Sequence, residues 1–298
     1  MKNRCKICGC ENIKIEYEGQ IRDGGLGRYT INNVKMYRCN NCNVIWHNAI
    51  KDLDNYYMSE EYRMSLEGTI DEVEFYNMHD KESLDKFRYT GMIFRDKIVA
   101  DIGCGCGAFL DLISGVSKKT IAIEPTLKFR DILLKKGYDT YGYAKEAIKE
   151  YKNKVDIAVS FDVIEHVESP YNFMTDIYNL LNQNGLAIIG TPTETPIMRE
   201  LLGECYEKKV LFSTQHIWIL GKDNLERVAL KTGFKKENIE IKYFQRYGLD
   251  NVFSWLNSKN PVSNISYGMI SKTIDLCWKS TLEEREISDY IVLYLRKK

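Results

Sequence analysis

The stretch Val99-Ala-Asp-Ile-Gly-Cys-Gly-Cys-Gly107 decides the fold. With Ile98 it begins as a buried strand, Ile98 to Ile102. Glycines at three alternate positions follow, and then a helical pattern through Phe109, Leu110 and Leu112. Glycines where a strand turns into a helix let the backbone approach a ligand closely, and the helix N-terminus offers free N–H groups. An acidic residue about 20 positions later, at the end of the next strand, can hold both ribose hydroxyls. Thr120 to Ile123 reads as that strand, and it ends at Glu124-Pro125. A nucleoside-bearing cofactor is therefore expected at this turn. Gly103, Gly105 and Ala108 also satisfy the dinucleotide pattern G-x-G-x-x-G/A, which keeps a nicotinamide enzyme as an alternative. Asp101 opposes it, because a carboxylate is poorly placed beside a pyrophosphate and well placed for a cationic ligand.

Outward from this turn, short apolar runs alternate with helical patterns, the mark of a parallel sheet with helices on both faces. A helix is expected around Phe129 to Lys136, and Val155 to Phe161 is a buried strand. Ser169 caps a helix over Pro170 to Leu181, with Asn184-Gly185 as its stop and Leu186 to Gly190 as the next strand. Asp223 and Glu226 resemble a capping box, Gly233 ends that helix, and Ile239 to Phe244 and Tyr290 to Leu295 supply two late strands.

The N-terminal part carries a different signature. Cys5 and Cys8, then Cys39 and Cys42, give two C-x-x-C knuckles, the spacing of a zinc ribbon with a closed four-thiolate structural site. Cys10 is an alternative ligand to Cys8. A hairpin is expected between the knuckles, around Asp23-Gly24-Gly25 and Val34 to Tyr37, and His47 is read as packing. The chain divides into a zinc-ribbon-like module over 1–50, a helical connector over 51–97 able to cover a cofactor, and a main domain over 98–298.

Composition narrows the functions. The 298 residues hold 42 Lys+Arg and 42 Asp+Glu, so the basic excess of a dedicated nucleic-acid binder is missing and nucleic acid is not an expected partner. Hydrophobic content of 44% with 28% charged residues argues for a globular chain over a disordered one. No apolar run approaches the ~18 residues of a membrane span, and no signal peptide is visible. A cytoplasmic location is expected, where nine cysteines serve metals or chemistry more than disulfides.

The glycine stretch, with Ile121-Ala-Ile-Glu124 and Ser160-Phe-Asp-Val-Ile-Glu-His-Val167, resembles the class I S-adenosylmethionine-dependent methyltransferases. That resemblance implies an α/β, Rossmann-like, seven-stranded, mostly parallel sheet with an antiparallel last strand. It puts Asp101 and Gly103 near the methionine moiety, Gly105 at the backbone turn and Glu124 on the ribose. Tyr143 and Ala144 would flank adenine, Phe161 and Asp162 would close the pocket, and Cys104 and Pro125 complete the cofactor set. The fused four-cysteine module looks like that of deoxysugar C-methyltransferases and of surface-polysaccharide methyltransferases. The chain is too short for the further C-terminal domain of the former. Gln215-His-Ile-Trp218 and Gln245-Arg-Tyr-Gly-Leu-Asp-Asn251 are similar to the tails of the latter. A sugar, nucleotide sugar or glycan hydroxyl is the implied acceptor.

A hydroxyl acceptor profits from a general base, and histidine suits neutral pH. His216, after the fifth strand, and His166, after the fourth, both face the carboxyl edge where ligands bind in open α/β sheets. Glu165 with His166 also has the makings of an accessory metal site. Trp218 and Tyr247 offer stacking surfaces or core, and Arg246 a partner for phosphate. An RNA base methyltransferase and a non-enzymatic zinc-ribbon adaptor with a degenerate methyltransferase domain are the competing functions.

Overall fold

A computed structural model describes residues 4–48, 52–258 and 268–298. The expected junction between 50 and 51 lies outside the described residues. In chain order the elements begin with strands β1 (Ile13–Gly19), β2 (Val34–Cys39) and β3 (Ile45–Trp46), followed by helices α1 (Leu53–Met58), α2 (Glu61–Leu66), α3 (Glu72–Asp85) and α4 (Phe87–Thr90). Strand and helix then alternate through β4 (Ile98–Ile102), α5 (Ala108–Ile113), β5 (Lys119–Ile123), α6 (Leu127–Lys135), β6 (Asp139–Tyr141), α7 (Ala144–Tyr151), β7 (Val155–Phe161), α8 (Pro170–Leu180) and β8 (Leu181–Pro192). The chain goes on through α9 (Pro196–Leu202), α10 (Glu204–Tyr206), β9 (Trp218–Ile219), α11 (Lys222–Thr232), β10 (Ile239–Phe244), α12 (Leu249–Ser258), α13 (Lys272–Glu284) and β11 (Tyr290–Arg296).

Seven strands form one sheet in the order β10-β11-β8-β7-β4-β5-β6, mostly parallel with the last strand antiparallel, as the resemblance implies. β4 is central, parallel to β5 on one side and to β7 on the other. Its residues 99–102 are all buried, which is why the strand reads as an apolar run with one carboxylate in it.

The chain forms two compact units. One draws on Asp52–Gly190, Glu226–Glu240 and Leu293–Lys298. The other draws on Met1–Lys51, Thr191–Leu225 and Ile241–Val292. Within this second unit β1, β2, β3 and β9 make a four-stranded sheet, and β1 and β2 are the expected hairpin. Its core joins Ile21, Met36 and Ile45 to Phe212, Ile219 and Trp255.

Two local expectations need correction. The helix after Ser169 stops at Leu180, and β8 starts at once, so Asn184-Gly185 lies inside a strand. The pairing jumps from Val155↔Leu181 to Ile157↔Leu186, which makes residues 182–185 a bulge, with Asn184 in the left-handed region at φ 69° and Asn182 Nδ2 donating to Asp156 Oδ1. A helix-stop dipeptide and a bulge dipeptide share the same need for positive φ. Helix α11 starts at Lys222, two residues earlier than an Asp223 cap allows, and it is Asn224 Oδ1 that accepts from the Gly221 N–H.

Candidate active site

β4 delivers the chain into the glycine turn. Gly103 N–H and Cys104 N–H both donate to the Ile123 carbonyl, which ties the start of the turn to the end of β5. Gly103, Gly105 and Gly107 have φ of +80°, +57° and +87°, so all three glycines are needed for their backbone. Two are also needed for space. A Cβ on Gly103 would stand 2.3 Å from Val163 Cγ2, and one on Gly105 would stand 2.4 Å from Phe75 Cζ. Cys104 and Cys106 are buried with their thiols pushed up by burial, Cys106 to about 12, so both act as compact side chains of the turn.

Two buried carboxylates flank this turn. Asp101 is 2% exposed, and its Oδ2 is buried without a hydrogen-bond partner. Burial raises its carboxyl to about 6, with Lys86 opposing the rise and Glu124 adding to it. Glu124 is 1% exposed; its Oε2 accepts from Gly105 N–H and its Oε1 from Thr126 N–H, each at 2.9 Å. An orphaned anion beside a glycine turn fits a cationic ligand. A second carboxylate with one accepting position left on each oxygen fits a diol. S-adenosylmethionine offers both. Around these groups, Tyr143 precedes α7 and Ala144 opens it, while Phe161 is buried against Phe109 and Tyr89. Pro125 is half-buried, and Asp162 has φ 57° with its N–H on the Gly190 carbonyl.

The connector supplies a layer that sequence reading missed in part. The sequence displays its aromatic residues, Tyr57, Tyr62 and Phe75 among them, but not where they pack. Arg63, on α2, lies 3.6 Å from Glu124 Oε2 and was not singled out at all. Phe75, on α3, rests on Gly105, and Thr126 Oγ1 donates to the Tyr57 carbonyl. No period in the sequence marks these contacts, because α1 to α3 reach the turn only through the tertiary fold.

In the other unit, Cys5, Cys8, Cys39 and Cys42 gather their sulfurs within 4.8 Å of one another. Cys5 Sγ and Cys42 Sγ are 3.6 Å apart, and Cys8 Sγ and Cys39 Sγ 3.5 Å. A tetrahedron with Zn–S bonds of ~2.3 Å has edges of roughly 3.8 Å, so the set fits zinc. Each knuckle ends on a left-handed residue, Gly9 at φ 75° and Asn43 at φ 59°. Cys10 stands outside the group, its Sγ accepting from Asn12 N–H.

Residues 79–239, more than half of the chain, match the model of a family described as a methyltransferase domain. The chain belongs to this methyltransferase family. Among its relatives, the ubiquinone biosynthesis O-methyltransferase of Rickettsia bellii is 29% identical over 105 residues, 34% of this chain and 44% of that protein. The Rickettsia typhi enzyme of the same name is 28% identical over 102 residues, 33% of this chain and 42% of that protein. The matched part thus spans less than half the length of these relatives. A SAM-dependent methyltransferase structure from Archaeoglobus fulgidus superposes with a TM-score of 0.51 at 16% identity, over 75% of this chain and 99% of that one. One from Thermotoga maritima gives 0.50 at 20% identity, over 78% and 97%. These two likenesses establish the fold.

The four histidines of this methyltransferase separate by surroundings. His166 is buried, with Nδ1 3.0 Å from the Tyr57 hydroxyl and Nε2 3.8 Å from Glu165 Oε1; the rings of Tyr57 and Tyr62 meet it edge-on. His216 is half-buried and belongs to the other unit, where its carbonyl and that of Ser213 lie at His47 Nε2. His47 is fully buried, and burial lowers it to about 4, so it is neutral packing. His79 stacks on Phe75 between Glu67 and Glu82; burial works against its charge, but the Glu67 and Glu82 hydrogen bonds prevail and raise it to about 9. Trp218 is buried against Trp46, and Arg246 is turned to Asp289 and the Tyr290 ring, so neither is displayed as a sugar or phosphate contact. No helix among the described residues is long and apolar enough to cross a membrane.

Proposed function

We propose that the protein transfers a methyl group from S-adenosylmethionine to a hydroxyl of a sugar, nucleotide sugar or surface glycan, and that its four-cysteine module holds a structural zinc. The observation that carries the cofactor is the pair of buried carboxylates, Asp101 and Glu124, flanking a turn of three left-handed glycines. The cofactor supplies a methyl group already activated on a sulfonium. The protein's own contribution is then alignment and proton removal. Asp101 balances the cationic part of the cofactor, and Glu124 accepts from the ribose hydroxyls. Tyr143, Ala144, Pro125, Phe161 and Asp162 shape the adenine side, with Cys104 filling the turn.

His166 is the leading base. The tautomer that serves as base is the one whose Nδ1–H donates to the Tyr57 hydroxyl, 3.0 Å away; it leaves Nε2 to take the acceptor's proton, and Glu165 stabilises the imidazolium that results. His216 is the second candidate. The zinc would be held by Cys5, Cys8, Cys39 and Cys42, with no position open for catalysis. A hydroxyl acceptor is supported by the O-methyltransferase relatives, and a sugar by the likeness of the cysteine module and C-terminal segments to polysaccharide-type enzymes. Those relatives also favour a second reading, an acceptor from ubiquinone biosynthesis.

The test is a labelled-methyl transfer screen with nucleotide sugars, glycans, hydroxylated quinone precursors and RNA, preceded by a thermal-shift titration with S-adenosylhomocysteine. Ligand at 100 times its Kd should add ~2.7 kcal/mol of stability. Label in a sugar, reduced roughly 10²- to 10⁴-fold by His166→Ala or His216→Ala, is the expected outcome. Label confined to the quinone precursor replaces the sugar reading, and the absence of any shift with S-adenosylhomocysteine removes the methyltransferase reading itself.

A further inference from the structure

Resting on the cofactor reading above, we propose that Arg63 of the connector is a cofactor-binding residue that recognises the ribose diol jointly with Glu124. Its guanidinium is held on one side. Nη1 donates to Glu67 Oε1 at 2.7 Å, and the same oxygen is 3.2 Å from His79 Nε2. The rings of Tyr62, Phe75 and Phe129 lie 5.0, 5.6 and 5.2 Å from its Cζ, which fixes the plane of the fork. The other edge of the guanidinium, Nε and Nη2, makes no hydrogen bond. Nε is buried without a partner, and Nη2 stands 3.6 Å from Glu124 Oε2, an ion pair beyond hydrogen-bonding reach.

A buried guanidinium N–H without an acceptor is desolvated and uncompensated, so this edge points to an oxygen that arrives with a ligand. Glu124 has the complementary deficit. Each of its oxygens already accepts one backbone N–H, and each can accept one more. A vicinal diol satisfies both groups at once: its two hydroxyls donate to Glu124, and an oxygen lone pair accepts from Nε–H or Nη2–H of Arg63. An anionic oxygen is the poorer match here, since it would stand beside the Glu124 carboxylate and leave two like charges facing one guanidinium. Sequence reading assigns the ribose to Glu124 alone; the pair adds a donor that tells a diol from an anion.

The experiment is isothermal titration of the full chain, wild type, Arg63→Met and Arg63→Lys, with S-adenosylhomocysteine and with 5′-methylthioadenosine, which keeps the ribose and lacks the amino-acid carboxylate. Arg63→Met is expected to weaken both ligands by the same factor, roughly 10- to 100-fold. Arg63→Lys, which keeps the charge but not the two-donor edge, is expected to weaken both as well, and it decides the matter if circular dichroism shows that the Met variant does not fold. Loss for S-adenosylhomocysteine alone would put the guanidinium on the amino-acid carboxylate and overturn the proposal. Unchanged affinities in variants of a wild type that binds also overturn it, and leave the cofactor reading intact. A wild type that binds neither ligand overturns both.

Discussion

Asp101 carries the sharpest conflict between stability and function at the scale of one residue. Its buried carboxyl titrates near 6, above the usual carboxylate range, mainly because burial disfavours the charge. The folded chain therefore holds a proton that the unfolded chain has already lost. Stability falls as pH rises from about 4 to about 6 and stays lower by roughly 3 kcal/mol at neutral pH. Asp101→Asn removes that penalty. Differential scanning calorimetry is expected to show a higher Tm for the variant at pH 7.5, a much smaller gain at pH 4, and no stabilisation by S-adenosylmethionine at either. A lower Tm at both pH values would mean that the carboxylate acts through contacts instead. For the wild type, affinity for the cationic cofactor should rise with pH through about 6. Asp101 and Glu124 were legible because each lies within one residue of a strand's carboxyl end, at a fixed offset from the glycines. Arg63 was not, since nothing in its neighbours Tyr62 and Met64 points to a carboxylate that follows 61 positions later.

At the scale of elements, the contact that closes the glycine turn is α3 on the β4–α5 connection. Phe75 reaches Gly105, whose φ of +57° already disfavours any side chain. Gly105→Ala combines a left-handed cost of about 1–2 kcal/mol with a clash against an aromatic ring, and the ring cannot yield as a flexible chain end would. In a Phe75→Ala background, where urea denaturation should show a loss of about 3–5 kcal/mol from the truncation alone, the further cost of Gly105→Ala should shrink to the backbone component. Equal costs in both backgrounds would show that Phe75 does not determine the glycine. The same scale explains the error at Asn184. An Asn-Gly pair signals positive φ, and whether that φ ends a helix or bulges a strand depends on the neighbouring strand, here β7, which runs past the bulge and resumes pairing at Leu186.

For the molecule as a whole, the cysteine knuckles belong to a unit whose residues beyond Lys51 come from the second half of the chain, and Asn224 Nδ2 donates to the Cys42 carbonyl there. A zinc in this cluster would be folding energy for β1, β2 and their neighbours. One zinc per chain is expected by elemental analysis, and none in Cys39→Ser. Treatment with a strong chelator should lower the Tm and remove amide protection from β1 and β2 in hydrogen exchange. A metal-free preparation with an unchanged Tm would end the structural-zinc reading. Sequence by itself determined the strand–glycine–helix turn, its two carboxylates and the paired knuckles, because each is a backbone requirement met by residues close along the chain. Tertiary structure alone decided that Arg63 stands at Glu124, that Tyr57 stands at His166, and that a module begun at Cys5 is completed by residues beyond 190. Those contacts join residues far apart in sequence, and packing, which has no period along the chain, selects them.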